Sequence, residues 1–287
     1  MKLAQSLKPE KNLPSLLLAT LAKAEYFYGL NYGINQDSCP TLEDVKKDLT
    51  ALKPYTNRIR IFSLSVCNQA ELALQATQEL GMQLYLGMWV DRPDTFDNEM
   101  KALDNIASKY GFSNVDAIIV GSEVLYRNDT DSASLANYIK KVKDTIGPKG
   151  VKVTTADVYY ELPPDVVQEL DFVMIYWEGV SVQDGASTLM NHYDHVVTIA
   201  QGKPVKISET GWPSAGDNFG DAVPSPENQK TYLAAVLCEA KKRNIDILWF
   251  SAKDEPYRSG VEAHWGILNA NNTLKSNIPL STLQNPC

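Results

Sequence analysis

Two glutamates at the ends of β-type runs are the residues of this chain best suited to chemistry. Glu209 closes the run Val205–Glu209 inside the stretch KISETGWPSAG, Lys206 to Gly216. Gly211 then permits an unusual backbone conformation and Pro213 prevents further strand pairing. This places a carboxylate on a rigid strand tip, with Trp212 beside it as a flat apolar surface. On its own the run reads equally well as a capped turn with a core tryptophan and a surface carboxylate. A second carboxylate decides between the two, and Glu123 ends the run Ala117–Glu123 in the same manner. Two carboxyl groups flanking one bond can divide glycoside cleavage between them. One, protonated, gives its proton to the leaving oxygen; the other, ionised, attacks the anomeric carbon. A gap of about 5–5.5 Å between them gives retention of configuration, and about 6.5–9.5 Å gives inversion.

Such a pair needs a scaffold that brings distant strand tips together. Strand-like runs recur at Phe27–Tyr32, Arg58–Phe62, Gln83–Trp89, Ala117–Glu123, Val151–Asp157, Phe172–Tyr176, Val205–Glu209 and Ile247–Ala252. Helix-like stretches separate them at Leu42–Leu52, Gln69–Leu80, Glu99–Tyr110, Leu135–Ile146, Pro164–Leu170, Ala186–Ala200 and Glu227–Arg243. This alternation predicts an α/β fold, a single (β/α)8 TIM barrel over residues 26–287. An open doubly wound sheet would alternate likewise, but its usual G-x-G-x-x-G turn is absent after the first strand. Strands four and seven face each other across the mouth of such a barrel, which sets Glu123 opposite Glu209.

Barrel enzymes carry their chemistry at the C-terminal ends of strands. The residues expected there are Asn31 and Tyr32; Arg60, Phe62 and Ser63; Trp89 and Asp91; Ser122 and Glu123; Asp157; Tyr176, Trp177 and Glu178; Glu209; and Lys253, Asp254 and Glu255. The set is acidic and aromatic. It has no serine–histidine pair and no phosphate-cradling loop.

Composition narrows the partners. With 287 residues, 44% hydrophobic and 22% charged, the chain can bury a large core. A net charge of −8 argues against nucleic acid, which wants a basic face. No run is long enough to span a membrane. Cys39, Cys67, Cys238 and Cys287 lack C-x-x-C spacing. Four cysteines allow three connectivities; the preferred one is Cys39–Cys67 with Cys238–Cys287. The glycosylation triplets at Asn128 and Asn271 lean towards an extracellular protein. His192 and His195 sit three apart on a helical stretch but offer no third ligand, so neither metal nor cofactor is expected. Residues 1–25 are read as a short amphipathic helix, with Leu13, Leu16, Leu17 and Leu21 at helical spacing. An atypical signal ending near Ala22-Lys23-Ala24 is the alternative.

Several separated motifs, in order, resemble glycoside hydrolase family 17, the β-1,3-glucanases and their fungal glucanosyltransferase relatives. They are FYGLNYG (27–33), RIRIFS (58–63), VGSEVLYR (120–127), YWEG (176–179), the run around Glu209, GDAVPSPENQ (220–229), DEPYR (254–258) and HWGILN (264–269). The resemblance is stronger to fungal cell-wall members than to plant enzymes. It implies a retaining barrel enzyme with Glu209 as nucleophile and Glu123 as acid/base. It also implies a β-1,3-glucan partner, a secreted or cell-wall location and a monomer. Barrel glycosidases of this clan commonly carry Asn before the acid/base, in contact with the sugar 2-hydroxyl. Here Ser122 stands in that place and is too short for the same reach; fungal members resembling this chain share the serine.

Around the pair, Arg60 and Tyr176 are expected to hold Glu209 as an anion. Trp177 is expected to stack on a glucosyl ring on the leaving-group side, with Glu178 bonding its hydroxyls. Tyr32, Phe62, Ser63, Ser122, Asp157, Trp212 and Glu255 complete the expected sugar-binding set, although Trp212 also fits a structural wedge. An acceptor sugar held ahead of water would make the enzyme a glucanosyltransferase. Plain endo-hydrolysis and non-catalytic glucan binding are the alternatives. Because one carboxyl must be ionised and the other protonated, a bell-shaped pH profile with an acidic optimum is expected.

Overall fold

The computed structural model describes residues 26–146, 149–176 and 180–287, with only the backbone of Met174, Ile175 and Tyr176. Eight parallel strands pair in chain order and the last closes on the first. They are β1 (Gly29–Asn31), β2 (Arg58–Arg60), β3 (Gln83–Met88), β4 (Val115–Ser122), β5 (Lys152–Val158), β6 (Val173–Tyr176), β7 (Val205–Thr210) and β8 (Ile247–Trp249). The expected (β/α)8 barrel is therefore present. The helical reading of residues 1–25 falls outside the described residues.

Strand β4 shows why the barrel closes. Ala117 and Ile119 belong to a small cluster with Tyr85, Phe172 and Leu248, whereas Ile118 and Val120 join the large core under the helices. Successive side chains point to opposite faces of a strand. An unbroken apolar run thus fills both the barrel interior and the layer outside it, as parallel strands covered on both sides require.

The helices α1 (Leu42–Leu52), α2 (Gln69–Leu80), α3 (Pro93–Lys109), α4 (Ser132–Ile146), α5 (Pro164–Glu169), α6 (Val182–Ile199) and α7 (Pro226–Arg243) connect the strands, and a short α8 (Leu280–Gln284) follows β8. Thr41 caps α1 by accepting from Asp44 N–H, and the Asp44 carboxylate accepts from the Thr41 backbone in return. α3 starts six residues before the expected Glu99, because Pro93 occupies its first turn, where no amide donor is needed. Glu99 consequently lies inside a helix and is fully buried. Disulfides join Cys39 to Cys67 and Cys238 to Cys287, with Cα–Cα distances of 5.3 and 5.0 Å, in the expected pairing.

Candidate active site

Glu209 lies in β7, with a relative exposure of 6%. Its turn geometry differs in kind from the expectation. Gly211 does not adopt a left-handed conformation; it is required by close approach, since a Cβ there would meet Phe250 O at 1.8 Å. The left-handed backbone is found instead at Glu123, with φ 56°. That region costs an L-residue roughly 1–2 kcal/mol, and such strain persists only where surrounding contacts over-determine it. Here they do. Glu123 N–H donates to Ala156 O at 2.8 Å. The chain after it forms one helical turn, with Arg127 N–H on Glu123 O at 2.9 Å. Asp157, buried at the tip of β5, accepts from Leu125 N–H at 2.9 Å and Tyr126 N–H at 3.3 Å. Asp157 thus anchors the turn that carries Glu123. Burial pushes its carboxyl up to about 6, against the pull of those amides.

Glu209 is held by donors on two strands, with a third behind them. Arg60 Nη1 on β2 donates to Glu209 Oε1 at 2.6 Å, and Ser122 Oγ on β4 donates to the same oxygen at 3.1 Å. Arg60 Nη2 reaches Ser122 Oγ at 3.0 Å, and Arg60 Nη1 reaches Asn31 Oδ1 on β1 at 3.2 Å. Asn31 is anchored in turn by donating to the Ser208 and Leu248 carbonyls, each at 3.0 Å. Phe62 covers this network, its ring centroid 4.7 Å from the Arg60 guanidinium carbon. The register also pairs Tyr176 with Glu209 across β6 and β7.

Glu123 has a different environment. Burial foremost, then the nearby Glu209 charge, pushes its carboxyl from the usual 4.5 up to about 7, with Arg127 pulling the other way. Each carboxyl thus has a guanidinium partner, Arg60 on Glu209 and Arg127 on Glu123, but only Glu123 is raised towards its protonated form. A pair of carboxyls in unlike environments can divide acid and nucleophile roles between them.

The remaining expected residues divide. Arg60, Ser122 and Phe62 assemble around Glu209. Tyr32 and Glu255 come together in a neighbouring pocket at the β1 and β8 exits, with Gly33, Asp48 and Tyr257. The Tyr32 hydroxyl donates to Asp48 at 2.9 Å, and Glu255 pairs with Arg258. Two expectations need correction. Trp212 offers no sugar platform: it is 1% exposed, packs 5.2 Å from the Tyr232 ring and donates to Val223 O at 3.0 Å. The apolar indole is worth more in the core than at the mouth, and the alternative of a structural wedge holds. The Ser63 hydroxyl is likewise committed inward, donating to buried Glu99 at 2.6 Å. Trp177 and Glu178 lie outside the described residues.

Three groups escaped sequence reasoning. Glu99 accepts from Ser63 Oγ, Leu64 N–H, Ser65 N–H and Ser65 Oγ, and so fixes the chain after β2. Arg127 contacts Glu123, and its spacing of four from Glu123 was visible in VGSEVLYR. Tyr126 and Tyr160 form an exposed edge-to-face pair, 6.4 Å between centroids, on the rim after β4 and β5. His192 stacks on Tyr159 at 3.7 Å, and no cluster of potential metal ligands occurs among the described residues.

A closed parallel barrel with paired carboxylates on its fourth and seventh strand tips defines a glycoside hydrolase. The chain belongs to glycoside hydrolase family 17, and residues 29–266 match the BtgE/BtgC glycoside hydrolase domain. It is similar to a family 17 β-1,3-glucanosyltransferase from Rhizomucor miehei, 62% identical, with a TM-score of 0.88 over 91% of this chain and 99% of that one. An active-site mutant of the Rhizomucor miehei β-1,3-glucanosyltransferase in complex with laminaritriose is 63% identical, with a TM-score of 0.86 over 88% and 97% of the two chains. A glucan 1,3-beta-glucosidase of Schizosaccharomyces pombe is 32% identical over 84% of this chain and 82% of its own.

Proposed function

We propose that this enzyme acts on β-1,3-glucan with retention of configuration and passes the cleaved glycosyl unit to a second glucan chain in preference to water. Glu209 attacks the anomeric carbon while Glu123 protonates the departing oxygen. The resulting glycosyl ester on Glu209 is then opened by an acceptor hydroxyl whose proton returns to Glu123. The observation that carries the chemistry is the contrast between the carboxylates: Glu209 bonded to Arg60 and Ser122, Glu123 raised to about 7.

Preference for transfer is supported by the 63% identity to the Rhizomucor glucanosyltransferase. The exposed Tyr126–Tyr160 pair, on the segments after β4 and β5 and with Tyr126 three positions along the chain from Glu123, is a candidate acceptor platform. Exposed rings there suit stacking on sugar faces. Trp177 and Glu178 are further candidates for holding the acceptor. Two disulfides and a polysaccharide substrate support an extracellular or cell-wall location. Recovery of the protein only from the cytosol of its producing cell would oppose that location.

Incubation with laminaripentaose tests the reaction. Products longer than the pentamer support transfer, and exclusively shorter ones leave only hydrolysis. Binding to laminarin without turnover would make the chain a glucan-binding protein. Turnover by Glu209→Gln equal to that of the parent would remove Glu209 as nucleophile.

A further inference from the structure

We propose that Arg127 is the positioning residue of Glu123, and that its charge serves chiefly the second half of the reaction, when Glu123 must act as a base. This rests on the retaining roles assigned above to Glu123 and Glu209.

The geometry begins in the single turn after β4. The bonds Arg127 N–H to Glu123 O (2.9 Å) and Asp129 N–H to Val124 O (2.9 Å) bring residue 127 over residue 123. Each edge of the guanidinium then has a partner. Nη1 donates to Glu123 Oε2 at 3.2 Å, Nη2 to Ser122 O at 2.7 Å and Nε to Asp129 Oδ2 at 2.9 Å. The flat face lies over Trp89, with the guanidinium carbon 4.8 Å from the ring centroid. An ordinary exposed ion pair spends side-chain entropy to hold its geometry and contributes little. Arg127 differs because Ser122, Asp129 and Trp89 fix its plane whether or not Glu123 is ionised. Only a planar fork makes all these contacts; an ammonium supplies the charge without the aim.

The charges facing Glu123 give the timing. Glu209 and Asp157 repel its ionised form, while Arg127 and Arg60 attract it. Once Glu209 is esterified by the glycosyl unit its charge is gone and its repulsion with it, but Arg127 remains. The balance moves towards ionised Glu123 at the moment a base is needed. Glu123 then takes the acceptor O–H proton. The acceptor oxygen bonds to the anomeric carbon, and the carbon–oxygen bond to Glu209 breaks with its electron pair returning to that carboxylate.

The test compares Arg127→Met and Arg127→Lys with the parent on a dinitrophenyl β-laminaribioside, whose leaving group departs without protonation. Stopped-flow release of dinitrophenolate separates the two half-reactions. For Arg127→Met we expect a burst of about one equivalent, followed by steady turnover slowed roughly tenfold or more. On unactivated laminari-oligosaccharides the basic limb of kcat/KM should move to higher pH. Arg127→Lys should restore much of that limb while recovering turnover only in part. Equal slowing of burst and steady phases in both variants, with unmoved limbs, would reduce Arg127 to a structural residue and overturn the proposal. Parent enzyme that forms no glycosyl ester would instead remove the retaining reading, and the proposal with it.

Discussion

Ser122 Oγ donates to Glu209 Oε1 at 3.1 Å while accepting from Arg60 at 3.0 Å. The residue next to Glu123 in the chain is therefore hydrogen-bonded to the opposing carboxylate. This small side chain ties the tips of β4 and β7 together and couples the backbone at Glu123 to the Glu209 carboxylate. A longer side chain at this position would have to displace that contact or reach past it. Serine here is thus part of the setting of the Glu209 carboxylate.

Replacing Ser122 by Ala should lower kcat about tenfold, since a hydrogen bond to a charged group is worth about 1.5–3 kcal/mol and part of it persists through Arg60. KM should change little, because the bond involves no substrate. Steady-state kinetics on a laminari-oligosaccharide check this; an unchanged kcat would show that the contact contributes nothing to the reaction.

The pH profile should fall on its basic side near neutrality. Glu123 must carry a proton to act as the acid, and its carboxyl is raised to about 7. Activity is lost as pH rises through that value. In the free enzyme kcat/KM reports this group, so its basic limb should bend at about pH 7. A limb that stays flat to pH 9 would contradict the assignment.

Glu123 should also destabilise the fold at alkaline pH. Its folded-state value lies above the ordinary 4.5, so its favourable contribution is complete below that pH and is lost as pH rises through about 7. Glu123→Gln removes the buried charge. At pH 8 the variant should be more stable than the parent by roughly 1–2 kcal/mol, allowing for partial exposure of the side chain. The gain should disappear at pH 4. Thermal unfolding at both pH values provides the comparison, and a variant less stable at pH 8 would refute the expectation.

Glu99→Ala should be among the more damaging changes remote from the carboxylates. It leaves the Leu64 and Ser65 amides and the Ser63 hydroxyl without their acceptor inside the core. Each buried group left unpaired costs about 1–3 kcal/mol, so a loss of several kcal/mol is expected, with kcat falling as the segment beside Arg60 and Phe62 loosens. Urea unfolding and kinetics together test this. Full stability would mean that the segment is held by other contacts.

The order of strands and helices and the two strand-tip glutamates were legible in the chain itself; the cysteine partners were one preference among three connectivities, and the fold brings them together. Hydrophobic period, proline, glycine and capping residues act within a few positions of each other, so they survive in linear order. The start of α3 is hard to read because Phe96 is the lone large apolar residue before Met100, and only Pro93 marks the first turn. Tyr32 and Ser63 were correctly placed near strand ends, yet their hydroxyls go to Asp48 and Glu99. A strand end fixes where a side chain starts and leaves open which partner it finds.

By itself, then, the sequence determined the barrel and named its two carboxylates. Only the tertiary structure decided their surroundings. Arg60 and Glu209 are 149 positions apart and meet at 2.6 Å because the barrel closes. Glu123 keeps its proton to about pH 7 because closure buries it and sets the Glu209 charge nearby. Trp212, beside Glu209 in the chain, turns into the layer under the helices because α7 sets the Tyr232 ring against its indole. Burial and charge depend on everything within several ångströms, and in a closed barrel most of that comes from distant parts of the chain.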